Sequence, residues 1–290
     1  MGTSLEKGDP MSLRYNKIKN HPTTFHRLFG LSVDEFERIV KAVEPEWAKR
    51  VTQRYKRPGR NNKLSLSEQI LMLLLYYRSY TTQIFIGFLF DIDDSRVCRN
   101  IQRLEPILAR VMAITKTRHL SQKEVEEIII DATEQQIERP KKGQKAFYSG
   151  KKKRHTNKTE IRILPQGKGR IIHVSKTNPG SIHDFEVYKK EDPIPRDSTA
   201  LADSGYQGLD KLHQRTEIPF KASKKKPLDK EDKAYNRALS RIRVKVENLL
   251  RQLKIFKILS DRYRNKNKRY NLKFNIIAGI VNFKNGFSTI

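Results

Sequence analysis

Residues 127–131 read Glu-Ile-Ile-Ile-Asp, three consecutive β-branched apolar residues closed by a carboxylate. A run this short, with polar residues on both sides, reads as a buried strand whose acid sits where the strand gives way to a loop. It also marks the point at which the period of the chain changes. Before it the apolar residues recur at helical spacing; after it they alternate or run continuously.

Working outward toward the C-terminus, Thr159 to Leu164 and Gly169 to Ser175 read as two further strands joined through Pro165 to Lys168, which together with the first make a β-meander. Ser181-Ile182-His183-Asp184 has the spacing of a capping box and predicts a helix to about Lys190. Ser198 to Asp203 is a short strand ending in an acid before the turn Ser204-Gly205, and it suits a parallel return to the first strand. Ile218-Pro219-Phe220 adds an edge strand, Lys221 to Lys226 a basic loop, Lys230 to Phe256 a long helix, and about Arg269 to Phe283 a last helix. Residues 119–290 are therefore expected to form an α/β domain around one mixed sheet.

Toward the N-terminus the chain is helical. Residues 1–25 are polar, contain Pro10 and Pro22 and show no period, so they are expected to form a flexible arm. Ser32 and Glu35 form a capping box ahead of Phe36, Ile39, Val40 and Val43, an amphipathic stripe that Pro45 is expected to end. Arg54 to Asn62 is a basic link, and Ser65 to Tyr80 an almost wholly apolar helix fit for a domain core. Thr81 to Phe90, the break Asp91-Ile92-Asp93 and Asp94 to Leu108 then form a helix, a turn and a second helix of the size that enters a major groove. Residues 26–118 are thus a candidate helix-turn-helix domain. On its second helix Val97, Ile101 and Leu104 recur on one face, and Arg96, Arg99, Asn100 and Arg103 on the other. Arg pairs bidentately with guanine and Asn with adenine, so the polar face is fit for base readout. An arginine-rich surface face with no base contact has the same spacing. Cys98 between them reads as a small packing residue.

The charge supports a polyanionic partner. Sixty Lys and Arg face thirty-two Asp and Glu, a formal net charge of +28. Two stretches are densest, Arg139 to Lys176 and Arg237 to Lys273, and the first holds the run Lys151-Lys152-Lys153-Arg154 flanked by Phe147, Tyr148 and His155. Such a run is either a phosphate-facing track or a solvated loop. The longest apolar run, Ile70 to Tyr77, is far shorter than the roughly 20 residues of a membrane-spanning helix. The N-terminus has no apolar core with a cleavage site, so the chain is expected in the cytoplasm, associated with the nucleoid. A single cysteine removes disulfide scaffolds and cysteine-rich zinc clusters.

Three carboxylates carry the candidate chemistry. Asp131 and Asp203 each close an apolar strand, and Glu247 lies on the long helix, beside its buried stripe, at helical spacing from Arg243, Arg251 and Lys254. Three acids near a DNA-binding surface suit Mg²⁺, a hard cation that takes carboxylate oxygens and substrate phosphate; two such ions serve an in-line phosphodiester displacement. Singly, each acid has a plainer reading: a strand end, an Asp-Ser-Gly turn, and an i, i±4 ion pair with Arg243 and Arg251. Glu134, three residues after Asp131, points to the opposite side of a continuing strand and is a poor partner for the same metal.

In order, Ile130-Asp131-Ala132-Thr133-Glu134, Ser181-Ile182-His183-Asp184-Phe185, Leu201-Ala202-Asp203-Ser204-Gly205-Tyr206-Gln207-Gly208 and Arg243-Val244-Lys245-Val246-Glu247 resemble bacterial insertion-sequence transposases of the DDE type, in the Harbinger-like superfamily. The resemblance runs from about Ser32 to Phe287 and extends to the stretch Tyr148 to Thr156. It implies a helix-turn-helix domain followed by a ribonuclease-H-like domain, with Asp131, Asp203 and Glu247 holding two Mg²⁺ ions, or Mn²⁺ in their place. It further implies recognition of terminal inverted repeats, cleavage by water and joining of the freed 3′-OH to target DNA by a homodimer or higher homo-oligomer. Lys151, Lys152, Lys153, Arg154, Arg243, Arg251 and Lys254 then line the DNA path. Arg243, Glu247 and Lys254 match the family's spacing, but Ser240 stands where related proteins place a tyrosine. His183 and Asp184 are expected to serve structure. An endonuclease without strand transfer, or a regulator using the helix-turn-helix alone, are the competing readings.

Overall fold

The computed structural model describes residues 12–52, 62–115, 117, 120–222 and 227–287. The chain divides into two compact units between Ile107 and Leu108. The basic link expected at Arg54 to Asn62 lies, except for Asn62, outside the described residues, as does most of the basic loop after Lys221.

The first unit is helical: α1 (Tyr15–Ile18), α2 (Pro22–Phe29), α3 (Val33–Trp47), α4 (Leu66–Ser79), α5 (Gln83–Phe90) and most of α6 (Asp94–Val111). Its centre is α4, on which every residue from Gln69 to Tyr77 is buried, as an all-round apolar helix requires. Ser65 and Glu68 close a capping box at its start, and Ser32 and Glu35 do the same for α3. Residues 12–25 are not an arm. Phe25 is fully buried, Tyr15 packs on Phe36, and the Leu13 amide donates to the Leu89 carbonyl, so aromatic burial holds a segment whose polar composition hides it. Pro45 does not end α3 either. The buried stripe of Phe36, Ile39, Val40 and Val43 continues to Trp47, and a π-helical turn follows to Thr52. Packing of that stripe outweighs the one backbone bond that proline removes.

The second unit is a mixed sheet covered by helices. Its strands are β1 (Glu127–Gln136), β2 (Tyr148–Ser149), β3 (Arg154–Leu164), β4 (Arg170–Val174), β5 (Asn178–Pro179), β6 (Thr199–Ala202) and β7 (Thr216–Glu217). The order is β2-β3-β1-β6-β7, with β4 and β5 also paired to β3. β1 runs antiparallel to β3 and parallel to β6, so the expected meander and parallel return both form. The edge strand falls at Thr216 and Glu217 rather than at Ile218 to Phe220, because Pro219 lacks the N–H a ladder requires. The helices are α7 (Gln144–Phe147), α8 (Asp184–Tyr188), α9 (Lys230–Lys254) and α10 (Tyr270–Lys284).

Alternation divides β1 between two layers. Ile128 and Ile130 join Leu164, Ile172, Tyr188, Ala200, Ala202 and Tyr206 in one core. The opposite face is covered by α9, which packs on β1 and β6, with α10 beside it on β4. The layers meet closely at Gly169, where φ is +86° and a Cβ would come 2.8 Å from Leu249 Cδ1. This α+β arrangement is the ribonuclease-H-like one that the resemblance implies for this domain.

Candidate active site

Asp131 sits in the middle of β1, not at its end. The strand continues to Gln136 because its polar second half pairs residue by residue with the polar first half of β3, from Asp131 opposite Ile161 to Gln136 opposite Thr156. The side chain is half-buried on the α9 side, and Asp131 Oδ1 accepts from the Ala132 N–H at 2.8 Å. Burial pushes its carboxyl up to about 6, opposed by Arg243 and the Ala132 N–H and reinforced by Asp203 and Asp184.

Asp203 follows β6. Because Ile130 pairs with Ala202 in the parallel ladder, the next residue of each strand is an aspartate, and the two stand side by side. Asp203 caps the 3-10 turn Ser204–Tyr206 through the Gly205 N–H, which donates to Asp203 Oδ1, while Asp203 Oδ2 lies 3.6 Å from the Arg243 guanidinium on α9. Two neighbouring carboxylates on adjoining strands are hard-oxygen donors, and these residues fit Mg²⁺.

Glu247 is exposed on α9, one turn after Arg243 and two turns before Lys254. Its two neighbours on that stripe both feel the aspartates. Arg243 faces Asp203, and the Lys254 ammonium, pushed below its usual range by desolvation and Lys152, is stabilised by Asp131. Among the described residues no three acidic, His or Cys side chains converge as metal ligands. The structure thus brings Asp131 and Asp203 together and leaves Glu247 on the adjoining helix face.

A cavity of about 450 Å³ opens beside Asp203, floored by Glu134, Lys158 and Asp184 and rimmed by Lys151 and Lys221. Ser181 does not cap α8. His183 is the N-cap, without a side-chain bond, because the Asp184 carboxylate is taken by Lys158 at 2.8 Å. Glu134 faces away from Asp131, as its parity requires, and lies 3.6 Å from the same ammonium. Lys158 is the residue the sequence reading missed. Lys158, Glu160 and Arg162 alternate with Asn157, Thr159 and Ile161 and resemble a solvent face, yet all three are buried. Arg162 Nε donates to Glu160 Oε1 at 2.8 Å, the Tyr206 hydroxyl lies 3.3 Å from Glu160 Oε2, and burial pushes the Glu160 carboxyl up to about 7. Two of the bases counted toward a phosphate track, Lys158 and Arg162, therefore point into the fold.

The bases of the lysine run lie at the surface. Lys151, Lys152, Lys153 and Arg154 are exposed on the β2–β3 hairpin, where Lys153 has φ +54° and Arg154 donates to Gln136 Oε1 at 3.1 Å. Arg251 is exposed on α9. In the first unit Arg96, Arg99 and Arg103 are exposed on α6, opposite buried Val97, Ile101 and Leu104. With Asn100 they line a groove of about 280 Å³, in which Arg99 donates to Ser95 Oγ at 2.8 Å and Arg103 lies over the Trp47 ring.

Residues 130–282 match the family described as DDE superfamily endonuclease, and residues 62–114 match the helix-turn-helix of DDE superfamily endonuclease. The chain is 40% identical over 265 residues to the probable transposase for insertion sequence element IS702 of Microchaete diplosiphon, covering 90% of this chain and 94% of that protein. No solved structure matches it. With paired aspartates on adjoining strands of the matched segment and a helix-turn-helix ahead of it, the chain belongs to the DDE-type insertion-sequence transposases.

Proposed function

We propose that the protein is a DNA transposase that binds the terminal inverted repeats of its own element, cleaves the phosphodiester at their ends and joins the freed 3′-OH to target DNA. The observation that carries this reading is the pair Asp131 and Asp203 at equivalent positions of two parallel neighbours, with burial pushing the Asp131 carboxyl up to about 6. Asp131, Asp203 and Glu247 would hold Mg²⁺, or Mn²⁺ in its place, which would supply activation of the attacking oxygen and stabilisation of the leaving one. Asp131 and Asp203 orient their oxygens through the Ala132 and Gly205 amides, and Arg243 holds the second against α9. Lys151 to Arg154, Arg251 and Lys254 contact phosphates and fix the strand without reading it. Arg96, Arg99, Asn100 and Arg103 read bases. The same in-line displacement serves cleavage and joining, so one set of residues suffices for both. The enzyme works in the cytoplasm on the nucleoid, as a homodimer or higher homo-oligomer that pairs the two ends; no described helix is long and apolar enough to cross a membrane.

The test incubates purified protein with a labelled element end, supercoiled target DNA and Mg²⁺. Strand transfer predicts a joined product that requires the free 3′-OH. Cleaved ends without any joined product would reduce the protein to an endonuclease, and binding without cleavage to a regulator.

A further inference from the structure

Lys158 is buried, with its ammonium among three acceptors on two segments, β1 and the start of α8. It donates to the Ile182 carbonyl at 2.5 Å and pairs ionically with Asp184 Oδ1 at 2.8 Å and Glu134 Oε1 at 3.6 Å. These contacts place the ammonium between one carbonyl and two carboxylates. Glu134 is held in turn by the Thr156 hydroxyl at 2.7 Å. The second oxygen of Asp184 abuts the turn that carries Asp203: a Cβ on Gly205 would come 2.6 Å from Asp184 Oδ2 and 3.1 Å from Asp203 Oδ1. The Gly205 amide itself donates to Asp203 Oδ1. A continuous line of contact therefore runs from Glu134 through Lys158, Asp184 and Gly205 to Asp203. Arg243 holds the other oxygen of that aspartate from the opposite side.

We propose that Lys158 is a positioning residue for the metal site: acting through Asp184, it seats the Asp203–Gly205 turn so that the Asp203 carboxylate is oriented before a cation arrives. This rests on the reading of Asp203 as a ligand. In this role Lys158 acts through its carboxylate partners, and its ammonium also keeps Glu134 and Asp184 from competing for the ion. Partners one step behind a ligand typically govern metal affinity by roughly 10- to 100-fold.

The test measures Mn²⁺ binding to the full chain by titration calorimetry, without DNA, and the Mg²⁺ concentration for half-maximal cleavage of a labelled end. Lys158→Met and Asp184→Asn should each weaken Mn²⁺ affinity by roughly tenfold or more and raise the Mg²⁺ requirement by the same factor. The KM for the DNA end should stay at the wild-type value and cleavage should recover at high Mg²⁺, a split that general loosening of the fold does not produce. Lys158→Arg, which keeps the charge, should recover part of the affinity. If Lys158→Met does not fold, the isosteric Asp184→Asn carries the test. Should Asp203→Asn lose Mn²⁺ affinity while folded Lys158→Met and Asp184→Asn retain it, or should Lys158→Met gain an additional ion, Lys158 is no positioning residue although the site stands. Should wild type and Asp203→Asn bind Mn²⁺ equally, Asp203 is no ligand and the proposal falls with it.

Discussion

Helix α6 and strand β3 carry the same kind of pattern, charged residues on one face and uncharged ones on the other, yet they use it in opposite ways. On the outward face of α6 the charges are all positive, Arg96, Arg99 and Arg103, and all three are exposed. On β3 they alternate in sign, Lys158, Glu160 and Arg162, and all are buried. A face of one sign has no partner within itself and must meet water or a polyanion, whereas alternating signs satisfy one another and neighbouring strands once desolvated. Exposure of a charged face is thus decided by whether the fold supplies counter-charges, which for β3 come from Glu134 on β1 and Asp184 on α8.

The largest expected effect falls on the sheet side. Asp131→Asn and Asp203→Asn should each eliminate detectable cleavage while end binding, followed by mobility shift, stays near wild type, because each removes a ligand oxygen and neither has to touch phosphate. Wild-type cleavage by either variant would show that the strand-borne acids are structural.

Next come the buried charges. Arg162→Met strands Glu160 and removes bonds to Glu160 and the Asp192 carbonyl as well as its stacking over Tyr188, so denaturant unfolding should show a loss of about 3 to 5 kcal/mol. Arg96→Ala on α6 should change stability by less than about 0.5 kcal/mol. Equal losses at the two positions would erase the distinction between the two charged faces.

Arg96→Ala and Arg99→Ala should instead lower the preference for element ends over random DNA by about 1 to 3 kcal/mol for each lost bidentate pair. Footprints identical to wild type in position and selectivity would move sequence reading to another element. The smallest effect is assigned to the hairpin. Lys151, Lys152 and Lys153 changed together to Ala should weaken specific and random duplex binding alike and flatten the slope of log K against log salt by up to about 0.9 per lost contact. An unchanged slope would make the hairpin a solvated loop.

What was legible in the sequence follows the same division. Ser65 to Tyr80, the break at Asp91 to Asp93, the two faces of α6 and the short strand β6 rest on spacing within one segment, and each formed close to where the pattern put it. Lys158, Asp184 and the length of β1 rest on pairing between segments distant in sequence. The run Asp131 to Gln136 looks like a loop until Thr156 to Ile161 stands opposite it, and Ser181 looks like a cap until Lys158 claims Asp184. Tyr15 and Phe25 were hidden in the same way, single aromatics in a polar stretch whose burial depends on Phe36. Asp131 and Asp203 were found because each closes or interrupts an apolar strand, a local signal even though its meaning is not.

Glu247 tests the central claim most directly, since the structure leaves it exposed on α9 while the proposed chemistry requires it beside the two aspartates. The measurement is single-turnover cleavage of a labelled element end in Mg²⁺ by wild type and Glu247→Gln, with end binding measured on the same preparations. The account predicts no cleavage by the variant at undiminished binding; cleavage at the wild-type rate would contradict it and leave Asp131 and Asp203 to act without α9.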